Sequence, residues 1–579
     1  MSDTLKVSIG QWSDKGRKSI QQDFHGASIP TASVLSAKGV ALALADGISS
    51  SEVSQEASQY AVGGFLADYY CTPDAWSVKT SVERVVSATN SWLHAQTQRS
   101  QYRYEQDRGY VCTFSALVLK SRTAHVFHVG DTRVYRLVGA ALEQLTTDHR
   151  VHVGGGQEFL GRALGIDPHV DIDYLAVPVK PGELFLMTTD GVHEHMDAGF
   201  VTAAISRHAD DLDAAARAIV DEALRRGSDD NLSAQILRID AVPEHDADEL
   251  FRQLATLTVS PPIEPRMAFD GYTILRELHV SHRSHIHLAR DDATGQMVTI
   301  KTPSTDLRDD PAYLERFLLE EWVARRIDSP HVLKAHSAAR ARRYLYVASE
   351  YIDGQTLAQW MRDHPQPRID AVRSIVEQIA RGLRAFHRLE MLHQDLRPDN
   401  VMIDVHGVVK LIDFGAVRVA GLAEMTNLER GEEILGTEQY TAPEYFVGEG
   451  GTPRSDQFSL GVMAYQMLTG RLPYGAEVAR LRSHAALAKL QYVPAFDANR
   501  EIPAWIDGVL RKAVHPNPNK RYDSLSEFVH DLRHPSREFL ARHRTPLIER
   551  NPVAFWKGLS LLLFLMVLVL LKVLVAALG

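Results

Sequence analysis

The sequence predicts a multi-domain α+β protein, and three observations support this fold class. The chain has 579 residues, which is too many for one hydrophobic core. In the first 240 or so residues, short apolar runs typical of strands occur among amphipathic helical segments, whereas the next part begins with strand-like runs and continues with long helical ones. The last 20 or so residues are almost entirely apolar, which is typical of a membrane-spanning helix.

The composition limits the classes of function. The formal net charge of −10 at pH 7 argues against a nucleic-acid-binding protein. The two cysteines, Cys71 and Cys112, are far apart and have no metal-binding spacing, which favours a reducing cytosolic environment. The N-terminal segment MSDTLKVSIG lacks the basic-then-apolar pattern of a secretion signal. The sequence therefore gives no sign of secretion or of a nucleic-acid partner.

The N-terminal domain, residues 1–240, is predicted to contain layered sheets flanked by helices rather than a doubly wound parallel sheet. Its strand-like runs cluster around a smaller number of amphipathic helical segments. The predicted strands are Val40–Ala45, Thr113–Leu119, Ala124–Val129, Val134–Leu137, Glu183–Met187 and Ser233–Ile239. The predicted helices are Glu52–Tyr70, Val78–Gln98 and Leu212–Arg226.

Five aspartates of this domain lie mostly at the ends of strand-like runs: Asp23, Asp46, Asp131, Asp190 and Asp230. A single Asp-Gly pair usually marks only a turn. Five carboxylates with no compensating Lys or Arg cluster, however, would repel one another unless a cation gathered them. Oxygen ligands of this kind suit Mg²⁺ or Mn²⁺, whereas Zn²⁺ would favour His and Cys. The pattern therefore indicates a divalent metal site.

The N-terminal domain resembles the metal-dependent protein phosphatases of the protein phosphatase 2C type in the motifs QQD, ADG, HVGDTRVYRL, MTTDGV and SDDNLSAQIL. The resemblance implies an α/β-sandwich and a two-metal site in which the ions activate a water for attack on phosphate. It also implies the metal ligands: Asp46 bridges both ions, the Gly47 carbonyl and Asp23 assist, Asp190 and Asp230 hold the other ion, and Asp131 with Asp190 matches a third-metal position.

This domain departs from the family pattern at two places that concern the substrate. Lys18 stands where the family commonly has a phosphate-gripping arginine, and a lysine offers a point charge without the bidentate fork. His149 and Arg162 are only 13 positions apart, where family members usually hold a longer flap. We expect hydrolysis to survive both changes, whereas the choice of substrate should differ.

Residues 241–268 are acidic and then rich in proline, which indicates a linker. The next domain, residues 269–540, contains HQDLRPDN and then Asp-Phe-Gly, which place Asp395, Asn400 and Asp413 in a fixed order. Phosphoryl transfer needs such residues: an Asp to accept the proton of the substrate hydroxyl, and an Asn and a second Asp to hold Mg²⁺. The domain resembles the Ser/Thr protein kinases, which implies a bilobal fold and ATP as substrate.

The resemblance implies further roles along the kinase domain. Lys301 of MVTIK contacts the phosphates of ATP, and Glu320 rather than Glu321 is its ion-pair partner. Glu350 lies in the hinge segment YVASEYIDG and is expected to bind the nucleotide, and Arg397 replaces the usual lysine of the catalytic loop. Two further residues, Glu444 and Arg521, are expected to form an ion pair.

One departure in the kinase domain leaves two interpretations open. The loop that covers the phosphates normally carries three glycines, and here His279, Ser281 and Ser284 stand at those positions. One interpretation is a pseudokinase that binds nucleotide and acts as a regulatory scaffold for the phosphatase. The other is an active kinase with weaker ATP binding, which the presence of Lys301 and Asp395 favours.

The segment Leu559–Leu578 contains about 20 residues, enough for a helix of about 30 Å that crosses a bilayer. Basic and aromatic residues flank its N-terminal end and predict that the large N-terminal part lies in the cytoplasm. They are Arg542, Arg544, Arg550, Trp556 and Lys557. We expect a juxtamembrane segment at 541–554 and a single-pass anchor at 555–579 in the inner cell membrane.

Together these expectations describe a bacterial, membrane-anchored bifunctional enzyme. The kinase would phosphorylate serine and threonine residues of protein substrates with ATP and Mg²⁺. The phosphatase, with two or three Mn²⁺ or Mg²⁺ ions, would remove phosphate from phosphoproteins. Opposed activities on one chain would set the phosphorylation level of shared substrates or of the chain itself.

Overall fold

The structure is a computed structural model that describes residues 4–139, 141–153, 157–243, 257–281, 283–307, 310–336, 342–424, 439–481, 483–496, 502–535 and 552–578. The chain divides into two compact units. The first unit comprises Met1–Asp353, Leu383–Gln394 and Ile412–Leu435. The second unit comprises Gly354–Gly382, Asp395–Leu411 and Gly436–Gly579.

The N-terminal part of the first unit is built on two antiparallel sheets of five strands each, with the orders β1-β12-β11-β6-β7 and β10-β5-β4-β3-β2, and on a separate β8-β9 hairpin. The strands are β1 (Lys6–Asp14), β2 (Phe24–Ser28), β3 (Val40–Ala45), β4 (Phe114–Lys120), β5 (Thr123–Val129), β6 (Arg133–Val138), β7 (Ala141–Gln144), β8 (Arg150–Val153), β9 (Gln157–Leu160), β10 (Asp173–Pro178), β11 (Leu184–Thr188) and β12 (Leu232–Ala241). The predicted layered sheets are therefore confirmed.

Helices cover the outer faces of both sheets. They are α1 (Ala32–Lys38), α2 (Ser54–Tyr69), α3 (Val78–Arg99), α4 (Asp190–His193), α5 (Ala198–Arg207) and α6 (Leu212–Arg225). Strand β3 shows how the sequence directs this packing, because successive side chains of a strand point to opposite faces. Its Leu42 and Leu44 lie in the core between the sheets. The smaller Ala41 and Ala43 lie in the core that contains residues of α2 and α3.

The rest of the first unit contains a five-stranded antiparallel sheet of order β14-β15-β16-β17-β19 and a long helix, α7 (Pro311–Arg326). The strands are β13 (Thr258–Val259), β14 (Ala268–Phe269), β15 (Tyr272–Val280), β16 (Ser284–Asp291), β17 (Met297–Pro303), β18 (Tyr344–Leu345) and β19 (Val347–Glu350). Proline opens α7 and Asp310 caps it, its carboxylate accepting a hydrogen bond from the Tyr313 amide. This is the run of strands followed by helix that the sequence predicts.

The second unit is mainly helical, and the elements that follow β19 along the chain are divided between the two units, because β21, β24, α10 and the end of α9 belong to the first unit. The strands after β19 are β20 (Gly354–Thr356), β21 (Met391–Leu392), β22 (Val401–Asp404), β23 (Val409–Leu411) and β24 (Arg418–Val419). The helices after α7 are α8 (Leu357–Asp363), α9 (Ile369–Arg388), α10 (Ala420–Ala423), α11 (Pro453–Thr469), α12 (His484–Leu487), α13 (Ala504–Ala513), α14 (Leu525–Arg533) and α15 (Pro552–Leu578). Short 3₁₀ turns occur at Gln106–Arg108, Thr305–Leu307, Pro398–Asn400, Pro443–Val447, Val478–Arg480 and Pro518–Lys520.

The C-terminal helix α15 has 27 residues. Its window Phe555–Lys572 has a mean hydropathy of 2.0, and none of it is buried in the protein. By length and composition, α15 is a helix that could cross a membrane, and it includes the predicted segment Leu559–Leu578. Most of the predicted juxtamembrane segment, residues 541–551, lies outside the described residues.

The predicted ion pair of Glu444 and Arg521 is present in the second unit. Arg521 donates two hydrogen bonds to the two carboxylate oxygens of Glu444, with distances of 2.8 and 2.7 Å. Both side chains are buried, with 0% and 2% of their surfaces exposed. The remaining donors of Arg521 bind the backbone carbonyls of His515, Arg454 and Pro516. A charge buried this deeply is tolerated only with such complete pairing.

We expect Arg521→Met to destabilise the second unit by about 3–5 kcal/mol, because the Glu444 carboxylate would remain buried without its partner. The measurement is the free energy of unfolding derived from amide hydrogen exchange of α11 and α14. The control is Asp523→Asn, which removes a pair with Arg454 whose aspartate is 84% exposed, and which should cost at most about 1 kcal/mol. Equal losses in the two variants would contradict the expectation.

Candidate active sites

The five predicted acidic residues of the N-terminal part lie at strand ends that face the same edge. Asp46 follows β3, Asp131 lies between β5 and β6, and Asp190 follows β11. Asp23 precedes β2 and Asp230 precedes β12. Because the strands are antiparallel, the C-terminal ends of β3 and β11 adjoin the N-terminal ends of β2 and β12. The fold therefore brings these five positions of the sequence to one region.

Burial and neighbouring carboxylates raise the pKa values of four of these carboxyl groups, those of Asp23, Asp46, Asp131 and Asp190. Asp23 is buried and accepts hydrogen bonds from the hydroxyls of Thr189 (2.9 Å) and Ser233 (2.8 Å). Burial raises its pKa to about 7, although these hydroxyls act in the opposite direction. The pKa of Asp46 lies well above its usual value because of burial and the charges of Asp23 and Asp190. Burial and the charges of Asp131 and Asp230 raise the pKa of Asp190 to about 6.

The backbone around Asp46 is held by neighbouring strands. The Asp46 amide donates a hydrogen bond to the hydroxyl of Thr113 (2.9 Å). At Gly47 a β-carbon would lie 2.9 Å from atoms of Ser54, so only glycine fits there without a shift of the backbone. This tight turn follows a fully buried strand. The sequence thus fixes the position of the Asp46 carboxylate through its backbone.

Two individual basic residues, Lys18 and Arg150, lie beside these carboxylates. The Lys18 ammonium lies 3.0 Å from a carboxylate oxygen of Asp230 and donates to the Ser49 hydroxyl. The Arg150 guanidinium lies 3.0 Å from Asp131 and 3.6 Å from Asp190. Lys18 and Arg150 are far apart along the chain, so the sequence alone does not show that both lie beside these carboxylates.

Sequence analysis missed two residues of this region. Arg150 begins the short β8 strand, and Glu194 lies 2.9 Å from the same guanidinium. Glu194 follows Asp190 by four residues around α4, a spacing that places two side chains on one helical face. That spacing was a usable signal, whereas the position of Arg150 depends on the β8-β9 hairpin.

The donor set suits a hard divalent cation, since it consists of carboxylate oxygens crowded against one another. Within the described parts of the chain, no three His, Cys, Asp or Glu side chains are arranged as a group that could hold a metal ion. The carboxylates instead contact hydroxyls and the two cations named above. The chemistry of the region fits Mg²⁺ or Mn²⁺. To bind such an ion, Asp131 would have to release Arg150, and Asp230 would have to release Lys18.

The second candidate site is centred on Lys301 of β17. Its ammonium donates to both carboxylate oxygens of Glu320 on α7, at 2.6 and 2.7 Å. A carboxylate oxygen of Asp413 lies 3.8 Å away. Glu321 pairs instead with Arg342 and Arg325, so the choice of Glu320 over Glu321 agrees with the structure.

The charges at this site stabilise one another. Burial by itself lowers the pKa of Lys301, but the charges of Asp413 and Glu320 raise it above the usual value. Burial raises the pKa of Glu320 to about 7, and the lysine opposes that shift. Burial also acts to raise the pKa of Asp413, but Lys301 lowers it below its usual value. Asp413 is therefore an anion beside a cation, as a phosphate-binding and Mg²⁺-binding site requires.

Phe414, which follows Asp413, is buried in an aromatic cluster. Its ring centroid lies 5.4 Å from that of Phe386 and 6.3 Å from that of His393. Aromatic pairs at such distances stabilise packing beyond the area they bury. The cluster fixes the backbone from which the Asp413 carboxylate extends toward Lys301.

The predicted catalytic loop lies in the second unit. The amide of the Asn400 side chain donates to the backbone carbonyl of Asp395 (2.8 Å) and to its carboxylate (3.1 Å). Asn400 is buried in the turn Pro398–Asn400. Arg397 is partly exposed and lies 3.2 Å from Asp399. The two residues whose spacing identified the loop are therefore in direct contact.

The glycine-poor loop is a tight hairpin between β15 and β16. His279 lies in β15 opposite Ile286 and is exposed. The hydroxyl of Ser281 accepts hydrogen bonds from the amides of Arg283 (3.3 Å) and Ser284 (3.0 Å). The Ser281 amide in turn donates to the Ser284 carbonyl (3.0 Å). These backbone amides, which glycine-rich loops direct at phosphates, are engaged within the turn.

The hinge residue Glu350 ends β19, and its carboxylate accepts a hydrogen bond from the Lys334 amide at 2.9 Å. The neighbouring Ser349 contacts the hydroxyl of Thr299 at 2.6 Å. Both contacts tie the end of β19 to its neighbours. The Glu350 amide also donates to the Lys334 carbonyl at 3.1 Å, so both the side chain and the backbone of Glu350 bond to Lys334.

Two family models match this chain. The model described as Protein phosphatase 2C matches residues 13–238, and that described as Protein kinase domain matches residues 272–532. The kinase PknB of Mycobacterium leprae is 31% identical over 270 residues, which are 45% of this chain and 42% of that protein. The kinase PrkC of Bacillus subtilis is 28% identical over 264 residues, or 45% and 40% of the two chains. The chain thus spans less than half the length of these relatives.

Two solved structures from Mycobacterium tuberculosis illustrate the two parts. The serine/threonine phosphatase PstP/Ppp shares 20% identity, with 41% of this chain and all of that chain covered and a TM-score of 0.35. The kinase domain of PknI shares 27% identity, with 48% and 100% covered and a TM-score of 0.37. The chain therefore contains a protein phosphatase 2C domain within residues 13–238 and a protein kinase domain within residues 272–532, and its kinase part is similar to bacterial Ser/Thr protein kinases.

Proposed function

We propose that this chain is a bifunctional enzyme that phosphorylates protein serine and threonine residues and also hydrolyses phosphoserine and phosphothreonine. The observation that carries the proposal is the presence, on one chain, of the Lys301–Glu320–Asp413 group and the acidic edge around Asp46. Each group brings several ionisable side chains together in a buried or partly buried place, which is typical of phosphate- and metal-binding sites. The domain limits 1–240, 241–268 and 269–540 are part of this proposal.

In the phosphatase, the acidic edge is the candidate metal site. Asp46, Asp23, the Gly47 carbonyl, Asp190 and Asp230 would hold the ions, and Asp46 would serve both of them. Mn²⁺ or Mg²⁺ bound there would supply a water of lowered pKa for attack on phosphorus. Lys18 lies at the same edge on Asp230, and its ammonium would bind a phosphate oxygen of the substrate. Asp131 and Asp190 together form the candidate third position.

In the kinase, Lys301 binds the phosphates of ATP and Glu320 orients it. Asp395 accepts the proton of the substrate hydroxyl, while Asn400 and Asp413 are the candidate Mg²⁺ ligands. Glu350 contributes to the nucleotide pocket at the hinge. Arg397 lies two residues after Asp395, and its charge would help to hold the phosphate in transfer. The hairpin of His279, Ser281 and Ser284 covers the nucleotide.

A second candidate function is supported by that hairpin. Because its amides bond within the turn, the loop holds phosphate less well than a glycine-rich loop does. A nucleotide-binding scaffold that regulates the phosphatase is consistent with this feature. Incubation of the purified protein with labelled ATP, Mg²⁺ and Mn²⁺ distinguishes the bifunctional enzyme from the scaffold. The bifunctional enzyme would label itself or an added protein, and more label would remain in Asp46→Asn than in the wild type.

Arg150→Gln is expected to raise the affinity of the acidic edge for Mn²⁺ at least tenfold. The variant removes a cation within 4 Å of Asp131, Asp190 and Glu194. Unit charges about 4 Å apart interact by about 4 kcal/mol at an effective dielectric constant of ~20, and tenfold corresponds to about 1.4 kcal/mol. The affinity is measured by calorimetric titration of the metal-free protein with Mn²⁺.

The matched control for this variant is Arg136→Gln, which removes an arginine of the same domain that pairs with Glu183. Its affinity for Mn²⁺ should equal that of the wild type. Unchanged affinity in Arg150→Gln as well would show that Arg150 does not compete with the metal at this edge.

We also propose that α15 anchors the chain in the inner membrane, with both enzymes in the cytoplasm. The support is the exposed apolar window Phe555–Lys572. Truncation after Pro552 should convert the protein from a form that requires detergent into one that remains in the supernatant after ultracentrifugation. Release of the full-length chain by alkaline carbonate alone would contradict a spanning helix.

A further inference from the structure

One turn of the phosphatase part is in direct contact with two segments of the kinase part, and all of these residues belong to the first unit. The turn Asp74–Ser77 joins α2 to α3. The kinase segments are 388–390, which precedes β21, and 418–424, which contains β24 and α10. We call the turn, the first residues of α3 and the nearby Lys120 the docking surface.

The first turn of α3 receives carboxylates from the kinase part. The amides at the start of a helix lack partners within the helix and favour negative charge. The first turn of α3 contains no acidic residue of its own. The Val78 amide donates to both carboxylate oxygens of Glu424, at 3.0 and 2.9 Å. The Ser77 amide and the Thr80 hydroxyl donate to Glu390, at 2.7 and 2.6 Å.

Lys120 supplies the second half of the docking surface. It ends β4, and only 1% of its side chain is exposed. Its ammonium donates to the Gly421 carbonyl at 2.7 Å and lies 3.3 Å from a carboxylate oxygen of Glu424. A lysine is buried this completely only when its charge is paired. Gly421 and Glu424 lie about 300 positions later in the chain than Lys120.

The backbone fits equally closely at the centre of this contact. The Gly421 amide donates to the Ala75 carbonyl at 2.9 Å. A β-carbon on Gly421 would lie 2.6 Å from the Asp74 carbonyl oxygen and 2.8 Å from that of Trp76. The indole N–H of Trp76 donates to the Arg388 carbonyl at 2.8 Å. Charge, shape and backbone hydrogen bonds therefore all match at one place.

We propose that this docking surface is a built-in binding site for the start of the kinase activation segment, and that docking supports the active arrangement of Lys301, Glu320 and Asp413. The bound segment begins four residues after Phe414 with β24, which pairs with β21, the strand that precedes the catalytic loop along the chain. In the docked structure the Lys301–Glu320 pair is formed and Asp413 lies beside it. The phosphatase part thus acts as a support for the kinase, independently of hydrolysis.

The docking surface is remote from the acidic edge, which makes the inference testable. Lys120 and Thr113, the partner of the Asp46 amide, stand at opposite ends of β4. Seven residues of extended strand span about 20 Å. A change at Lys120 is therefore expected to leave hydrolysis of a small phosphate ester unchanged.

The test uses the full-length chain in detergent with Asp46→Asn as the parent, so that label is not removed. Lys120→Met is compared with Lys180→Met, which changes an exposed lysine of the same domain. We expect Lys120→Met to lower kinase labelling five- to tenfold and to increase hydrogen exchange in 74–78 and 418–424. Lys120→Arg should restore both. With Asp46 intact, Lys120→Met should hydrolyse the ester at the wild-type rate.

Glu424→Gln gives a second route if Lys120→Met fails to fold. It should reproduce the loss of labelling, and combining it with Lys120→Met should add little, because both variants break one contact. Unchanged exchange in both segments would overturn the docking site, and higher kinase labelling would overturn its supporting role. The measurement of kinase labelling rests on the proposed kinase function. If the parent does not label at all, that function fails, whereas the exchange experiment still decides the docking.

Discussion

Asp46→Asn is expected to lower the hydrolysis of a phosphothreonine peptide at least 100-fold while the fold remains intact. In the proposed site Asp46 would be a ligand of both metal ions, so the amide of Asn would weaken the binding of both. A loss of 100-fold corresponds to ~2.7 kcal/mol of transition-state stabilisation, which is modest for the loss of a shared metal ligand. Activity is measured as phosphate released in the presence of Mn²⁺.

The variant is also expected to be more stable at neutral pH or equal to the wild type. The pKa of Asp46 lies well above its usual value because of burial and neighbouring carboxylates. A carboxyl group whose pKa is higher in the folded than in the unfolded protein destabilises the folded state. The penalty grows as the pH rises above the unfolded pKa and is complete above the folded pKa. Removing that charge removes the penalty in the metal-free protein.

Asp240→Asn is the control, because Asp240 lies near the opposite end of β12 and pairs with Arg238. It should retain full activity. Full hydrolysis by Asp46→Asn, or by the wild type in the presence of EDTA, would refute the assignment of the acidic edge as a metal-dependent site.

Six of the twelve strands and three of the six helices that the structure describes in the phosphatase part were predicted from local pattern. The predicted strand Val40–Ala45 has the observed bounds of β3, and the predicted helix Val78–Gln98 ends one residue before α3 does. These elements are long or fully buried, so their apolar periodicity is strong. The short β7, β8 and β9 were not predicted. Their four residues each are too few to show alternation.

The site residues likewise include some that the sequence indicates and some that it does not. Aspartates at strand ends carry a signal in the sequence, because each follows or precedes a recognisable apolar run. Arg150 carries none, since its approach to Asp131 depends on a hairpin that the sequence analysis did not predict. The docking surface was not predicted either. Lys120 reads as an ordinary polar residue after a strand, and its burial arises from contacts with residues 421 and 424.

Two contacts between predicted kinase-motif residues are present in the structure. Asn400 contacts Asp395 across a single turn, and Lys301 contacts Glu320 across a strand and the following helix. The hairpin that replaces the glycine-rich loop was less predictable. Its residues are small and polar, as the sequence suggests, but the structure shows that the Ser281 hydroxyl closes the turn on itself.

Asp395→Asn is expected to abolish protein labelling from ATP, with a loss of at least 100-fold relative to its Asp46→Asn parent. A positioned general base contributes about 10²–10⁴-fold to proton transfer, and asparagine cannot accept the proton of the substrate hydroxyl. The fold should be retained, because Asn is isosteric with Asp and the Asn400 side chain still has the residue 395 carbonyl as a partner. Labelling is measured with Mg²⁺ and an added protein substrate.

The parent itself should label despite the glycine-poor hairpin. Transfer depends mainly on positioning and on charge stabilisation, which Lys301, Asp395 and Asp413 supply. The engaged amides of the hairpin should weaken ATP binding, so we expect a raised KM for ATP with a smaller change in kcat. The control for Asp395→Asn is Asp363→Asn, which alters an exposed residue at the end of α8. Equal labelling of parent and Asp395→Asn would assign the signal to another enzyme, and ATP binding without labelling in the parent would establish the scaffold.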